Sequence, residues 1–306
     1  MLEHVRWQNN FPIQMQQLMG HSLPKLHNIK LPKARNAVTI RDWDDAFANM
    51  AHIPGSASLP ATWTERARAY RESGVKVELD ITYGDDPREV FDLVWPQSTP
   101  LGLVVFIHGG YWMRLDKSYW TDLAEGARAR GWAVCLPNYT LAPVARIGQM
   151  TLQIGRAIER AAQCISGPVR LTGHSAGGHL AARMVCVDTP LDRMVLGRIA
   201  HTMSISGLHD LRPLLQTQMN ETLHMDLAEA VAESPALSLP YGQPRLTTWV
   251  GGNERPEFIR QAQLMAQMWD GLDAQTRCVI DGTHNHFTVI EGLKRPDSPI
   301  VAALLG

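Results

Sequence analysis

No apolar run in this chain approaches the roughly 20 residues that a membrane-spanning helix needs; the longest lies around Leu101–Ile107. The start, Met1-Leu-Glu-His-Val-Arg-Trp-Gln, lacks the apolar stretch of a signal peptide, so a cytoplasmic location is expected. Cysteine is scarce. Cys135, Cys164, Cys186 and Cys278 are widely spaced, with no C-x-x-C, which offers neither a zinc knuckle nor a redox pair. They are expected to be small buried hydrophobes in a reducing compartment. Charge is also thin and unbiased: 19% of residues are charged, 29 Lys and Arg stand against 30 Asp and Glu, and the formal net charge is −1. That balance leaves no basic footprint for nucleic acid. Repeats and low-complexity segments are absent as well. What the chain has is apolar content, 45% of 306 residues. A folded chain of this length buries roughly three quarters of its unfolded surface, a core that needs no staples.

Two regions read differently. Residues 1–74 are punctuated by Pro12, Pro24, Pro32, Pro54 and Pro60. Two of the intervening pieces have helical spacing, Trp43/Ala46/Phe47/Met50 and Trp63/Ala67/Tyr70, and Gly74 is placed to end the second. Neither helix could bury a core alone, so 1–74 is expected to be a helical extension packed on a larger body. Residues 75–306 form that body. Val75, Val77, Leu79 and Ile81 alternate with polar residues as a half-buried strand does. A turn at Gly84-Asp-Asp-Pro-Arg88 and a second strand at 89–95 complete an antiparallel hairpin.

Short apolar runs at 101–107, 131–136, 169–172, 199–205, 246–250 and 278–280 then alternate with helical stretches. One helix carries Ile147, Met150, Ile154, Ile158, Ala161 and Ile165 on a face. Another opens at Pro256 and carries Phe258, Ala262, Met265 and Trp269. The pattern predicts an α/β fold, an eight-stranded, mostly parallel sheet with helices on both faces, its first two strands antiparallel.

Gly173-His174-Ser175-Ala176-Gly177 follows the fifth strand and opens an alanine-rich helix, 176–187. A G-x-S-x-G alone recurs by chance. Between a strand and a helix it marks a sharp turn that lifts a nucleophilic serine above the sheet. The Ala176 amide then sits at a helix start, where negative charge is favoured.

A serine hydroxyl needs a base, and the base an orienting acid, in chain order Ser, acid, His on this arrangement. Glu254, in Val250-Gly-Gly-Asn-Glu254 after the seventh strand, is the preferred acid, and Asp210 after the sixth is the runner-up. His286, in Asp281-Gly-Thr-His284-Asn-His286-Phe287, is preferred as base over His284. His284, His286 and Asp281 also sketch a metal site that lacks a further partner. His108-Gly109-Gly110-Tyr111-Trp112 follows the third strand, where amides of Gly109, Gly110 or Tyr111 can join Ala176 as an oxyanion hole. His108, His174 and His179 are expected to make local hydrogen bonds. Tyr111 and Trp112 are candidate substrate contacts, Tyr119 and Trp120 add aromatic surface, and Arg114 or Lys117 could reach the site only if the loop folds inward.

Together these residues resemble the α/β-hydrolase fold over about residues 75–306. His108–Trp112 with Gly173–Gly177 resembles the arylformamidase (kynurenine formamidase) group and its bacterial esterase relatives. Tyr83-Gly84 before Asp92-Leu-Val-Trp-Pro96, Asn138-Tyr139 with Leu141-Ala-Pro143, and Pro256-Glu-Phe258 fit the same likeness. The resemblance implies Ser175, Glu254 and His286 as triad, glutamate standing where aspartate is common, and no cofactor. The expected activity is metal-independent removal of a small acyl group from an aryl amide or ester. A broad short-chain carboxylesterase is the alternative, and a non-catalytic binding module of the same fold a remote one. The expected partner is that small-molecule substrate, with neither nucleic acid nor membrane; the oligomeric state, a homodimer included, stays open.

Overall fold

Strands with no polar residue on either face belong in the middle of a covered sheet. Leu103-Val-Val-Phe-Ile107 is buried throughout, with Leu103, Val105 and Ile107 in one apolar cluster and Val104 and Phe106 in another. The two clusters are the two sides of the molecule. A computed structural model describes residues 41–306. Pro12, Pro24, Pro32 and the rest of the expected extension up to residue 40 lie outside the described residues.

The sheet comprises β1 (Val77–Thr82), β2 (Val90–Val94), β3 (Leu103–Ile107), β4 (Ala133–Pro137), β5 (Val169–His174), β6 (Ile199–Ile205), β7 (Arg245–Gly251) and β8 (Gln275–Asp281). Its spatial order is β1-β2-β4-β3-β5-β6-β7-β8. Both neighbours of β2 run against it and all other pairs are parallel, so β2 alone is reversed. The helices are α1 (Trp43–Phe47), α2 (Leu59–Arg71), α3 (Glu125–Ala129), α4 (Ile147–Cys164), α5 (Ala176–Arg183), α6 (Arg193–Leu196), α7 (Asn220–Leu223), α8 (Leu227–Ala232), α9 (Pro256–Asp270) and α10 (Pro299–Leu305). The α4 stripe from Ile147 to Ala161 packs on one side with Leu180 of α5 and Phe258 of α9. Trp63 of α2, Ala127 of α3 and Val301 of α10 cover the other. Among the described residues, no helix is long and apolar enough to cross a membrane.

Four expectations are corrected. The alternation in β1 breaks at a bulge between Glu78 and Ile81, where Asp80 takes φ +55° and Leu79 is 53% exposed. The cause is Asp92 on β2, buried beside Lys117. It accepts from the Asp80 amide at 3.0 Å, while the Asp80 carboxylate joins Lys117 Nζ at 2.7 Å. The stripe through Trp43 and Phe47 ends before Met50, which is exposed because α1 stops at Phe47. The helix after the serine ends at Arg183, not 187. Cys164 is exposed on the last turn of α4, whereas Cys135 and Cys186 are buried; all four thiols are free.

Candidate active site

Strand β5 ends at His174 and α5 begins at Ala176, so Ser175 alone makes the turn, at φ +56° and ψ −119°. A non-glycine residue in that region carries strain of order 1–3 kcal/mol and persists only where its surroundings over-determine it. Here they do. A Cβ at Gly177 would collide with the Ile107 carbonyl, and one at Gly173 with the Gly177 carbonyl, so only glycines let strand and helix approach this closely. The Ser175 amide is spent on the Ile205 carbonyl at 2.8 Å, which ties the turn to β6. The Ala176 amide is one of the first-turn donors that a helix leaves unpaired.

Register carries the glycine loop to the same place. Ile107 of β3 pairs with Gly173 of β5, so two residues further along each strand Gly109 adjoins Ser175. A Cβ on Gly109 would stand 2.7 Å from the His174 carbonyl oxygen and 3.0 Å from Ser175 Cβ. Beyond it the chain is tightly coiled, with positive φ at Gly110, Tyr111, Trp112 and Leu115. The loop is held from below. Asn138 donates to Asp116 at 2.7 Å and accepts from the Lys117 amide at 2.8 Å; Arg88 donates to the Leu115 and Tyr139 carbonyls. His108 is fully buried, stacked on Tyr139 with ring centroids 4.5 Å apart. Burial pushes its pKa down to about 4, so it stays neutral as a structural group.

Glu254 and His286 meet where the loops after β7 and β8 converge. His286 Nδ1 donates to Glu254 Oε2 at 2.6 Å, with side chains 3% and 0% exposed. The other oxygen, Oε1, accepts from Ser206 Oγ at 2.5 Å and from the Gly251 amide at 2.8 Å. All of the carboxylate is thus hydrogen-bonded, as a buried charge requires. Phe258 lies against the His286 ring at 4.5 Å.

The competing assignments separate. Asp210 is gripped by Arg212 through two bonds of 2.8 and 2.9 Å and does not reach a histidine. His284 bonds Thr288 at 3.2 Å and stands 3.9 Å from Asp281, while Glu254 bonds His286. Among the described residues, no three His, Cys, Asp or Glu gather as a metal site. His179 bonds the Glu233 carbonyl at 2.6 Å and burial lowers it to about 3.

Ser175 and His286 line one cavity of about 500 Å³, with Gly109, Gly110 and His174. Its far wall is made by Phe47, Asn49, Met50, Pro60 and Trp63, with Met219 and Phe287 beside them. Tyr111 and Trp120 line it as expected for aromatic surface. The Tyr111 hydroxyl donates to the Phe47 carbonyl and accepts from Asn49 Nδ2 at 3.4 Å.

Three expectations do not fit this wall. Trp112 is a core residue with no exposure, set edge-on to His179 at 5.1 Å. Tyr119 packs outside the cavity. Lys117 is buried in its pairs with Asp92 and Asp80, so of the two Arg114 is the one that lines the cavity. The sequence reads residues 44–63 as part of a helical extension or cap but does not show that they line the cavity, nor does it show Ser206 at the acid or the bond from His174 to the His286 backbone. Only Ser206 carried a signal, its place just past the end of β6.

A family model described as the α/β-hydrolase fold matches residues 104–276. A kynurenine formamidase of Danio rerio is 32% identical over 262 residues, covering 82% of this chain and 87% of the relative. One from Drosophila melanogaster is 23% identical, covering 75% and 80%. Among solved structures, a protein of Silicibacter provisionally called a thioesterase is 46% identical with a TM-score of 0.82, covering 87% of this chain and 99% of the other. Esterase B of Lactobacillus rhamnosis, at 18% identity and a TM-score of 0.60 over 81% and 90% of the two chains, shares the fold.

Proposed function

The chain belongs to the α/β-hydrolase fold family and is related to kynurenine-formamidase-like esterases, and on that premise we propose that it is a metal-independent serine hydrolase of esterase type. In this reading Ser175 Oγ attacks the substrate carbonyl carbon as its proton passes to His286 Nε2. The imidazolium so formed is stabilised by Glu254. Amides of the Gly109–Tyr111 stretch and of Ala176 hold the tetrahedral oxyanion. Collapse expels the alcohol or amine, which takes the proton from His286, and water releases the acyl group by the same steps. The observation that carries the reading is the buried 2.6 Å His286–Glu254 bond on the cavity that the strained Ser175 also lines.

The cavity supports a small, largely apolar substrate, since about 500 Å³ accommodates an acyl group together with a ring-sized leaving group. A formamidase activity is the second reading. It is favoured by the relatives, and by Arg114 and Asp44 on the cavity wall, charges that match a zwitterionic amino-acid end. The test is fluorophosphonate labelling of Ser175 followed by kcat/KM for p-nitrophenyl acetate, p-nitrophenyl octanoate, an acetyl thioester and N-formylkynurenine. Labelling that is lost in Ser175→Ala, with acetate or its thioester preferred, is expected. A hundredfold advantage for the formamide, about 2.7 kcal/mol of transition-state preference, would move the assignment to formamidase. No labelling would point to a non-catalytic pocket.

A further inference from the structure

We propose that His174 is a positioning residue, whose side chain fixes the main chain of His286 and thereby sets the imidazole over Ser175. The proposal rests on the serine-hydrolase reading and deepens it. Two strands, β6 and β7, lie between β5 and β8, so the loop after β8 must reach back across both to bring His286 to the serine. The Glu254 bond fixes the rotation of the imidazole. The main chain on either side is tied, with the Asn253 amide on the His284 carbonyl at 3.0 Å and the Thr288 and Val289 amides on the Asn285 carbonyl, but none of these bonds holds the His286 carbonyl. His174 supplies that hold: its Nε2 lies 2.8 Å from the His286 carbonyl oxygen, a bond across 112 positions of sequence with both residues buried.

A carbonyl only accepts, so Nε2 carries the proton of the His174 ring. Burial, and then the nearness of His286, push the His174 pKa well below the ordinary histidine value, which keeps the ring neutral. Neutrality suits the place. The rings of His174 and His286 stand 4.6 Å apart, and a second cation there would oppose the imidazolium that forms during attack. Through its own peptide His174 also abuts Gly109, so one residue touches the loops that bear nucleophile, oxyanion donors and base.

The test compares His174→Gln with His174→Met. The two replacements share length and bulk, and only glutamine carries an N–H to offer the carbonyl. With p-nitrophenyl acetate, Met is expected to lower kcat about tenfold or more with KM little changed, and Gln to recover most of the loss. In the unsubstituted protein, long-range ¹H–¹⁵N spectra are expected to show His174 as the Nε2–H tautomer. Ser175-dependent turnover that is equal in the Met and Gln variants, or an Nδ1–H tautomer, would overturn this proposal alone. Turnover that survives Ser175→Ala would overturn the serine-hydrolase reading and this proposal with it.

Discussion

Replacing Glu254 by glutamine keeps the shape of the side chain and removes one acceptor. Three donors now converge on the carboxylate: Ser206 Oγ and the Gly251 amide on Oε1, and His286 Nδ1 on Oε2. A carboxamide has a single oxygen. Set at the Oε1 position it satisfies two of the three donors, and its NH2 group then faces His286 Nδ1. The imidazole must turn that nitrogen into an acceptor and carry its proton on Nε2, which leaves no lone pair to take the Ser175 proton. Loss of the correct tautomer in a buried triad lowers kcat by about 10⁴, roughly 5 kcal/mol of transition-state stabilisation. The assay is kcat with p-nitrophenyl acetate, with thermal melts to confirm that the isosteric variant is folded. Asp210→Asn is the comparator. Its carboxylate is already committed to Arg212, so kcat is expected to stay within about twofold. A loss of less than tenfold in Glu254→Gln, or silencing by Asp210→Asn, would refute the assignment of the acid.

Lys117→Met leaves the Asp92 carboxylate, 1% exposed, without the cation 2.6 Å away, at an expected cost of about 3–5 kcal/mol. Urea unfolding reads this, and a change under about 1 kcal/mol would mean the pair is not what braces the β1 bulge and the glycine loop. Acid stability should follow the buried histidines. Burial pushes His108, His201 and His209 down to about 4 and His179 to about 3, so the folded chain keeps them neutral while the unfolded chain protonates them near 6.5. Their contribution is intact above pH 6.5 and is lost as pH falls from there toward 4, by several kcal/mol per pH unit where all four take part. Urea midpoints that are flat from pH 7.5 to 5 would contradict it.

The sheet was legible because each central strand is a short apolar run bounded by turn residues, and β6 matches its expected span of Ile199–Ile205 to the residue. The sharp turn at Ser175 is legible because its motif sits between such a run and a helix. Glu254 was placed by chain order at the end of β7, where it now bonds His286. What stayed hidden depends on contacts between distant segments. Leu79 follows the strand alternation perfectly, yet the bulge that Asp92 and Lys117 hold at the neighbouring Asp80 leaves the leucine exposed. Trp112 sits beside two loop glycines as a mouth residue would, but its positive φ turns the ring into the core. The burial of Lys117, a candidate at the site by sequence, is hidden because its partners lie 25 and 37 positions earlier in the chain. The cavity wall from Phe47 to Trp63 belongs to no motif, since its role exists only once α1 and α2 dock.

That wall divides the labour of the molecule. The groups placed for bond-making sit on the rigid ends of β3, β5, β7 and β8, whereas the surface opposite them is lent by a segment that precedes the whole sheet. It is fastened to the body by polar ties, among them Arg41 to Glu257, Asp45 to Arg255 and the Tyr111 hydroxyl to the Phe47 carbonyl, and by the buried rings of Phe47 on Phe258 and Trp63 on Trp120 and Phe287. Substitutions in residues 44–63 that keep Phe47 on Phe258 and Trp63 on Phe287 are therefore expected to change the shape offered to a substrate more than the placing of Ser175, His286 and Glu254. A graft of this one segment from a relative is expected to shift the ratio of kcat/KM between two substrates more than it lowers kcat for either.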